Sequence, residues 1–185
     1  MLKLALKIII YTGCWVVLDG NNWPHRKWAC SIKEFFSTSE PIWTHTTTGK
    51  TNLRCLVDQV NEMKQQFIIY TRSCYNKEYK VSRILYGTFY EHRRKHMDVK
   101  PKGKGVSFQE DLLYVSGDKS CAVIMVTTNV GAKRVTYDVR VRNSHIRWPP
   151  HHKCLHVYEK FEMHGQVLYD PSCQGILAKS ANLKV

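Results

Sequence analysis

The residues that could carry chemistry in this chain are charged side chains on predicted strands. Asp138 and Arg140 stand two apart in the segment KRVTYDVRVR, and Asp111 lies in the segment FQEDLLYV. A buried carboxylate is the natural partner of a protonated amine, whereas a buried guanidinium pairs with an acidic ligand. If these side chains face the protein interior, they can bind a small charged ligand, whose sign depends on which of them faces inward.

Alternation along the segment 133–142 predicts which side chains share a face, because successive side chains of a strand point in opposite directions. One face carries Asp138, Arg140 and Arg142, and the other carries Tyr137, Val139 and Val141. The apolar set is the better prediction for the interior, which leaves the charged set on a solvated face. If Arg140 points inward instead, there are two alternatives. It pairs with an acidic ligand, or it neutralises Asp138, in which case the pocket is simply apolar.

The segment FQEDLLYV offers two acids on opposite faces of one strand. Phe108 shares a face with Glu110, whereas Asp111 shares a face with Leu113. We take Asp111 as the candidate for a second interior acid, although an exposed carboxylate is the commoner fate of either acid.

Three histidines invite a metal interpretation, since His152 and His156 stand four apart on a predicted helix beside His151. No third ligand is evident, so we expect these histidines to be solvated and no metal to be bound. The sequence also lacks a glycine-rich phosphate loop, a nucleophile elbow and a credible acid–base pair. We therefore expect neither an enzyme nor a cofactor.

The N-terminus and the net charge indicate a secreted, basic protein. Lys3 and Lys7 lie at the start of an apolar stretch that ends at Leu18, so residues 1–20 are predicted to be a signal peptide. Residues 21–185 suit a single domain. The formal charge of +13 falls to +12 without the signal peptide. Such a charge favours anionic partners such as glycosaminoglycans, acidic membranes or acidic proteins, while secretion makes nucleic acid implausible.

Six cysteines remain after residue 20, and an even number in a secreted domain predicts disulfides whose pairing is open. They are Cys30, Cys55, Cys74, Cys121, Cys154 and Cys173. No two of them form a CxxC pair, which argues against a zinc ribbon or a thioredoxin-like centre.

The predicted elements are a short helix, a meander of strands and a second helix. Apolar residues recur at helical spacing from Trp28 to Phe36, and Pro41 ends that helix. About eight short strands follow, which favours an all-β barrel that removes its own edges. Gly87 within one of them predicts a bulge or a sharp bend. A second helix follows Pro150, and the segment QVLY then predicts a short strand.

The order of these features resembles the tick salivary lipocalins, the histamine-binding protein family, from about Trp28 to Cys173. The segments that carry the resemblance are PIW at 41–43, CLVD at 55–58, YDPSC at 169–173 and the spacing of the last three cysteines. The resemblance implies an eight-stranded antiparallel calyx with a helix packed outside, and the bonds Cys55–Cys173 and Cys121–Cys154. Cys30 and Cys74 could then pair, stay free or bond another chain.

The ligand that the resemblance implies is a biogenic amine such as histamine, but two positions depart from the amine-binding pattern. Ala122 follows Cys121 where an acid is expected, and Arg140 stands where an aromatic residue is expected. These replacements favour an acidic lipid such as a leukotriene, so both ligand classes stay open. The implied role is the suppression of host inflammation or haemostasis. The site residues that we predict are Trp43, at the closed base of the barrel, with Phe108, Asp111, Tyr137, Asp138 and Arg140. For Trp43 we expect core packing more than ligand contact.

The segment from His92 to Lys104 carries a dense run of cations. They are Arg93, Arg94, Lys95, Lys100, Lys102 and Lys104. One interpretation is a charged hairpin that protects a barrel edge. The other is a docking surface for anionic glycans or host proteins, which would make the chain a monomeric surface-binding module with a vestigial calyx.

Overall fold

The computed structural model describes residues 30–147, 149–161 and 164–178. The signal peptide predicted for residues 1–20 and the start of the domain at residue 21 lie outside these ranges. Neither of the described helices is long and apolar enough to cross a membrane.

Two α-helices, two 3₁₀ turns and nine strands are formed within the described ranges. The helices are α1 (Ile32–Phe36) and α2 (His152–Glu159), and the 3₁₀ turns are Asn143–His145 and Pro171–Leu177. The strands are β1 (Ile42–Thr47), β2 (Leu53–Met63), β3 (Phe67–Asn76), β4 (Tyr79–Phe89), β5 (His96–Pro101), β6 (Phe108–Val115), β7 (Cys121–Val130), β8 (Ala132–Arg142) and β9 (Gln166–Val167).

The first eight strands close into an antiparallel barrel. Neighbours run in the order β2-β3-β4-β5-β6-β7-β8-β1, and β1 pairs back with β2 through Ile42 opposite Asp58. The short strand β9 pairs with the far end of β1 at Thr46 and Thr47. Closure satisfies the ladder hydrogen bonds that an open sheet leaves unpaired. The barrel with a short helix and an external C-terminal helix, expected from the sequence, is confirmed.

The two ends of the barrel differ. At one end, which we call the closed end, α1 lies across the opening: the backbone N–H of Ile32 donates to the carbonyl of Arg94 at 3.0 Å, and Arg142 Nη2 donates to the carbonyl of Phe35 at 2.8 Å. At the other end, the open end, the strands are joined by loops 48–52, 77–78, 102–107 and residue 131. The barrel is therefore a cup with its base at α1.

Buried apolar residues form two layers. The inner layer fills the closed half of the barrel and includes Phe35, Phe36 and Met97. The outer layer lies between the wall and the C-terminal segment, where α2 covers β7 and β8, and includes Val139 and Tyr158. As a result, β7 and β8 are buried on both faces over much of their length.

Two disulfides attach the C-terminal segment to the barrel. Cys121–Cys154 joins β7 to α2, and Cys55–Cys173 joins β2 to the last 3₁₀ turn. Both pairings implied by the resemblance are thus present. Cys30 and Cys74 are free thiols, so the third intramolecular pair is not formed.

Two strand predictions need correction. The cationic run was expected to be an edge or a hairpin, but its centre is β5, a wall strand whose Met97 and Val99 face the core. Gly87 was expected to mark a bulge, yet the pairing of β3 with β4 continues past it without a shift. A Cβ at Gly87 would overlap Met97 Sδ and lie 2.6 Å from Ile68 Cγ2, so close packing explains the glycine.

Candidate functional site

The open half of the barrel holds a cavity of about 270 Å³, near the lower end of the range for small-ligand sites. Most of its wall is apolar, and the polar groups in the wall are two guanidiniums, one amide and one thiol. The lining residues are Leu53, Leu56, Arg72, Cys74, Asn76, Val81, Arg83, Leu85, Pro101, Val106 and Phe108. None of them is an acid.

A break in the β2 register shapes one wall of the cavity. The pairing of β2 with β3 shifts between Arg54 and Val57, where Cys55 adopts a φ of 57°. This bulge lets Leu53 and Leu56 both line the cavity while Cys55 turns outward to its disulfide. The same turn that anchors the C-terminal segment therefore also supplies apolar lining.

Two arginines face the cavity from neighbouring strands. Arg72 on β3 and Arg83 on β4 are directly opposite in the ladder, and alternation carries both inward with Cys74 and Leu85. Like charges in this position repel each other unless they are compensated. The charge of Arg72 is compensated by Asp58 and Glu110, whereas Arg83, which is exposed, forms no ion pair with the described residues.

The floor of the cavity is a network of buried charges. Arg140 is fully buried, and its Nη1 and Nη2 donate to the two carboxylate oxygens of Glu110 at 2.9 and 2.7 Å. Its Nη2 also donates to Asp138 at 3.1 Å, and Thr47 Oγ1 donates to the other oxygen of Asp138 at 2.7 Å. This bidentate pair joins β6 to β8 across the interior.

Arg72 extends the network to β2 and β3. Its Nε and Nη2 donate to the carboxylate of Asp58 at 2.6 and 2.7 Å, and Nη2 reaches Glu110 at 3.1 Å. With a side chain 17% exposed, Arg72 borders the cavity, while Asp58 and Glu110 lie behind it. Within the described residues, the interior acids Asp58, Glu110 and Asp138 are therefore already bound by guanidiniums.

The ion pair between Glu110 and Arg140 favours the charged form of both groups. Burial raises the pKa of Glu110, but the positive charges of Arg140 and Arg72 outweigh burial and leave that pKa below its usual value. Burial likewise disfavours the charge of Arg140, and Glu110 reverses this effect, so the pKa of Arg140 lies above its usual value. The pKa of Cys74 is raised because burial of the thiol outweighs the nearby guanidiniums.

Aromatic rings lie on both sides of this network. The guanidinium of Arg72 lies 5.4 Å from the Phe108 ring centre and 5.6 Å from that of Tyr70, and Arg140 lies 5.9 Å from that of Phe36. These distances suit cation–π attraction. Within the described residues, the Tyr70 hydroxyl finds no hydrogen-bond partner.

Comparison with known proteins shows what this barrel resembles. No family model and no curated protein matches the sequence. Lobster apocrustacyanin A1 superposes with a TM-score of 0.51 at 9% identity, over 82% of this chain and 83% of that one. Apocrustacyanin C1 superposes with a TM-score of 0.50 at 9% identity, over 82% and 84%. This chain has a lipocalin fold. At such low identity the likeness shows the fold alone.

The lipocalin calyx brings together three of the predicted site residues. Asp138 and Arg140 belong to the buried network, and Phe108 lines the cavity above it. The prediction that Val139 faces the interior is wrong, because the apolar face of β8 packs against α2. Both faces of this strand are buried, so an apolar face does not identify the interior.

The other three predicted site residues lie outside the calyx interior. Trp43 packs in the outer layer, where its indole N–H donates to Asn143 at 2.8 Å, so it does not form the base of the inner cavity. Tyr137 stacks on Phe161 at 4.7 Å between ring centres. Asp111 contacts His96 Nδ1 at 2.7 Å on the outer wall.

Four charged residues of the calyx were missed as site residues, along with most of the apolar lining: Asp58, Arg72, Arg83 and Glu110. Glu110 could have been found, because it alternates with Phe108 and Leu112 on one face of β6. Arg72 and Arg83 could not, since the β3–β4 register that sets them opposite each other depends on the turn between the strands.

The cationic run does not form one surface in the structure. Arg93, Arg94 and Lys95 lie in the β4–β5 loop at the closed end, beside α1. Lys102 and Lys104 lie in the β5–β6 loop at the open end, and β5, with Lys100, spans the wall between them. The single docking surface expected for this run is therefore two separate groups.

Among the described residues, metal-type donor atoms cluster at Cys55, Asp170 and Cys173. The two sulfurs of this cluster are joined in a disulfide and cannot act as thiolate ligands.

Proposed function

We propose that this chain is a secreted, non-enzymatic carrier that holds a small acidic amphiphile in its calyx. The observation that carries this proposal is the pair of cross-strand arginines in an otherwise largely apolar cavity. Arg83 has no ion-pair partner among the described residues, and the carboxylate of a ligand would supply one. The apolar wall from Leu53 to Phe108 would hold the hydrocarbon part.

The same geometry argues against a biogenic amine. No carboxylate lines the cavity within the described residues, and Asp58, Glu110 and Asp138 are each bound by Arg72 or Arg140. A protonated amine would have to displace a guanidinium from one of these acids. The resemblance to the histamine-binding family leads us to expect an aromatic residue where Arg140 stands. This departure fits a ligand of a different class.

The biological part of the proposal rests on that resemblance and on the disulfides. Two disulfides are typical of a protein that folds in an oxidising compartment, which supports secretion. By the resemblance to tick salivary lipocalins, the ligand would be an acidic lipid mediator of the host, such as a leukotriene. Sequestering it would suppress inflammation or haemostasis.

The test is a titration of the purified protein with a leukotriene, a fluorescent fatty acid, histamine and serotonin. We expect the two acids to saturate and to compete for one site, and the amines to produce no competition. Arg83→Gln should weaken binding of the acids by about tenfold, the worth of one charged hydrogen bond. Arg93→Gln, the same change at the closed end, should leave binding unchanged.

A second readout uses the free thiol in the cavity wall. Cys74 is free, so its alkylation should slow when a ligand fills the calyx. Leu56→Trp should fill the cavity and abolish binding without unfolding the barrel. Saturation by histamine or serotonin, or an absence of binding by either acid, would overturn the proposal.

A second candidate function is the docking of an anionic glycan or an acidic host protein at the closed end. The observation that favours it is the exposure of Arg93, Arg94 and Lys95 in one loop. Arg94 is partly engaged, because its Nη2 lies 3.3 Å from the Glu34 carboxylate. In this function the calyx would play no part.

A further inference from the structure

The open end of the barrel combines positive charge with exposed apolar side chains. Its four loops carry four lysines and a single acid, Glu78. The lysines are Lys50, Lys77, Lys102 and Lys104. All four are exposed, and none forms an ion pair with the described residues. The adjoining end of β8 adds Lys133 and Arg134, which are also exposed.

Apolar side chains project between these cations from three different hairpins. Tyr79 is 78% exposed beside the β3–β4 turn, Val106 is 47% exposed in the β5–β6 loop, and Val130 is 56% exposed at the β7–β8 turn. Each lies within three residues of a lysine in the sequence. Exposed apolar groups on three neighbouring tips are unfavourable in water and favourable against an apolar phase.

The closed end differs mainly in how its cations are paired. Three of its cations are paired: Arg94 and Lys119 with Glu34 at 3.3 and 4.0 Å, and Lys64 with Glu62 at 3.4 Å. Its exposed aromatic residues are Phe67 and Tyr90, and Tyr90 donates its hydroxyl to Asp98 at 2.6 Å. The two ends therefore carry similar numbers of cations but a different chemistry.

We propose that the open end docks on an anionic phospholipid surface. The lysines would meet the negative headgroups, and Tyr79, Val106 and Val130 would enter the boundary between headgroups and acyl chains. A soluble polyanion such as a glycosaminoglycan offers the charge but has no apolar phase in which to bury these three side chains. The combination of both features on one end thus favours a membrane over a polymer.

Docking in this orientation would place the calyx mouth against the bilayer. If the calyx binds an acidic amphiphile, as proposed above, the ligand could then pass between bilayer and cavity without crossing water. That consequence rests on the proposed function, whereas the docking itself does not. If the chain binds vesicles but no free fatty acid, the docking proposal is supported and the carrier proposal is contradicted.

The experiment is co-sedimentation of the full chain with vesicles of phosphatidylcholine, with and without phosphatidylserine. We expect binding only when phosphatidylserine is present, with affinity that falls as salt is added. Lys102→Glu/Lys104→Glu should reduce the affinity at least about tenfold, because each cation near the surface contributes to binding. Arg93→Glu/Lys95→Glu makes the same charge change at the closed end and should leave the affinity within about twofold.

A third variant separates a membrane from a polyanion. Tyr79→Ser/Val130→Ser keeps every charge and lies outside the cavity lining, so ligand binding in solution should be unchanged. We expect it to weaken vesicle binding several-fold and to leave retention on heparin unaltered. The proposal is overturned if this variant binds vesicles as well as the native chain does, if the closed-end variant loses as much affinity as the open-end variant, or if phosphatidylserine has no effect.

Discussion

At the scale of single residues, Glu110 is the centre of the buried network, since it accepts hydrogen bonds from both Arg72 and Arg140. Its own side chain is fully buried, so it depends on these partners to stay ionised. Buried ion pairs cost desolvation, and removing one partner leaves the other charge uncompensated. We therefore expect the network mainly to fix the register between the two sides of the barrel, and to add little to the free energy of unfolding.

Removing the Glu110 carboxylate should destabilise the fold. We expect Glu110→Leu to lower the free energy of unfolding by about 3–5 kcal/mol, because Arg140 would stay buried without its bidentate partner. Equilibrium unfolding in urea measures this change. Glu110→Leu/Arg140→Met, which removes both charges, should be more stable than the single variant. A double variant that is less stable than Glu110→Leu would show that Arg140 stabilises the fold even without Glu110, through Asp138 and Asp58.

The pH dependence of stability follows from the sign of the Glu110 pKa shift and provides a control for the same residue. A carboxyl whose folded pKa is depressed contributes stability above its unfolded value, and that stability is lost as the pH falls through the folded pKa. The difference in unfolding free energy between the native chain and Glu110→Gln should thus be constant above pH 4.5 and narrow below it. Acids that do not contact Arg72 or Arg140 have the same surroundings in both proteins, so their contributions cancel in this difference. A difference that widens below pH 4.5 would contradict the depressed pKa.

At the scale of elements, the disulfides determine how firmly the C-terminal segment is held. The bond Cys121–Cys154 closes a loop with a sequence separation of 33, and Cys55–Cys173 one of 118. In the chain-entropy model these bonds are worth about 4 and about 5 kcal/mol, respectively. The first attaches one helix, whereas the second attaches the end of the described chain.

Replacing both cysteines of one bond by serine separates these roles. We expect Cys121→Ser/Cys154→Ser to lower the unfolding free energy by up to about 4 kcal/mol and to expose α2 to limited proteolysis while the barrel stays intact. Cys55→Ser/Cys173→Ser should be the more destabilising change. Mass spectrometry of the fragments identifies the cleaved segment. Cleavage of the barrel strands before α2 in the first variant would contradict this order.

The sequence predicted the elements better than it predicted which faces of them are inside. The strands, the terminal helices and both disulfides follow from turn residues, alternation and the resemblance. The orientation of β8 could not be predicted in this way, because α2 covers Val139 and Val141 and both faces of the strand are buried. β5 was not recognised as a wall strand for a related reason, because its inward-facing Met97 and Val99 stand among charged residues in the sequence. Tertiary contacts decide both cases, and alternation within one strand does not encode them.

At the scale of the whole molecule, the high positive charge is divided between two ends that face in opposite directions. The closed end carries cations partly paired with acids, and the open end carries unpaired lysines beside apolar tips. A single value of net charge hides this difference. Retention on heparin should therefore depend on both ends, because a long flexible polyanion binds through charge alone.

The closed-end function predicts a specific result on a heparin column. If Arg93, Arg94 and Lys95 form a glycan site, the alanine triple variant should elute at much lower salt than a charge-matched variant of the open end, Lys50→Ala/Lys102→Ala/Lys104→Ala. Equal elution of the two variants would show charge-dependent retention without a site. Native-like retention of the closed-end variant would rule out that loop.

The charged layer formed by Asp58, Arg72, Glu110, Asp138 and Arg140 crosses the barrel at mid-height. It separates the interior of the barrel into two halves. The half below it is filled by buried side chains of the core, while the half above it holds the cavity. Substitutions at lining residues outside the buried core, such as Leu56, should therefore change the shape of the cavity with little effect on stability. If the cavity binds a ligand as proposed, most residues that select the ligand and most residues that keep the barrel folded lie in different halves of the same barrel.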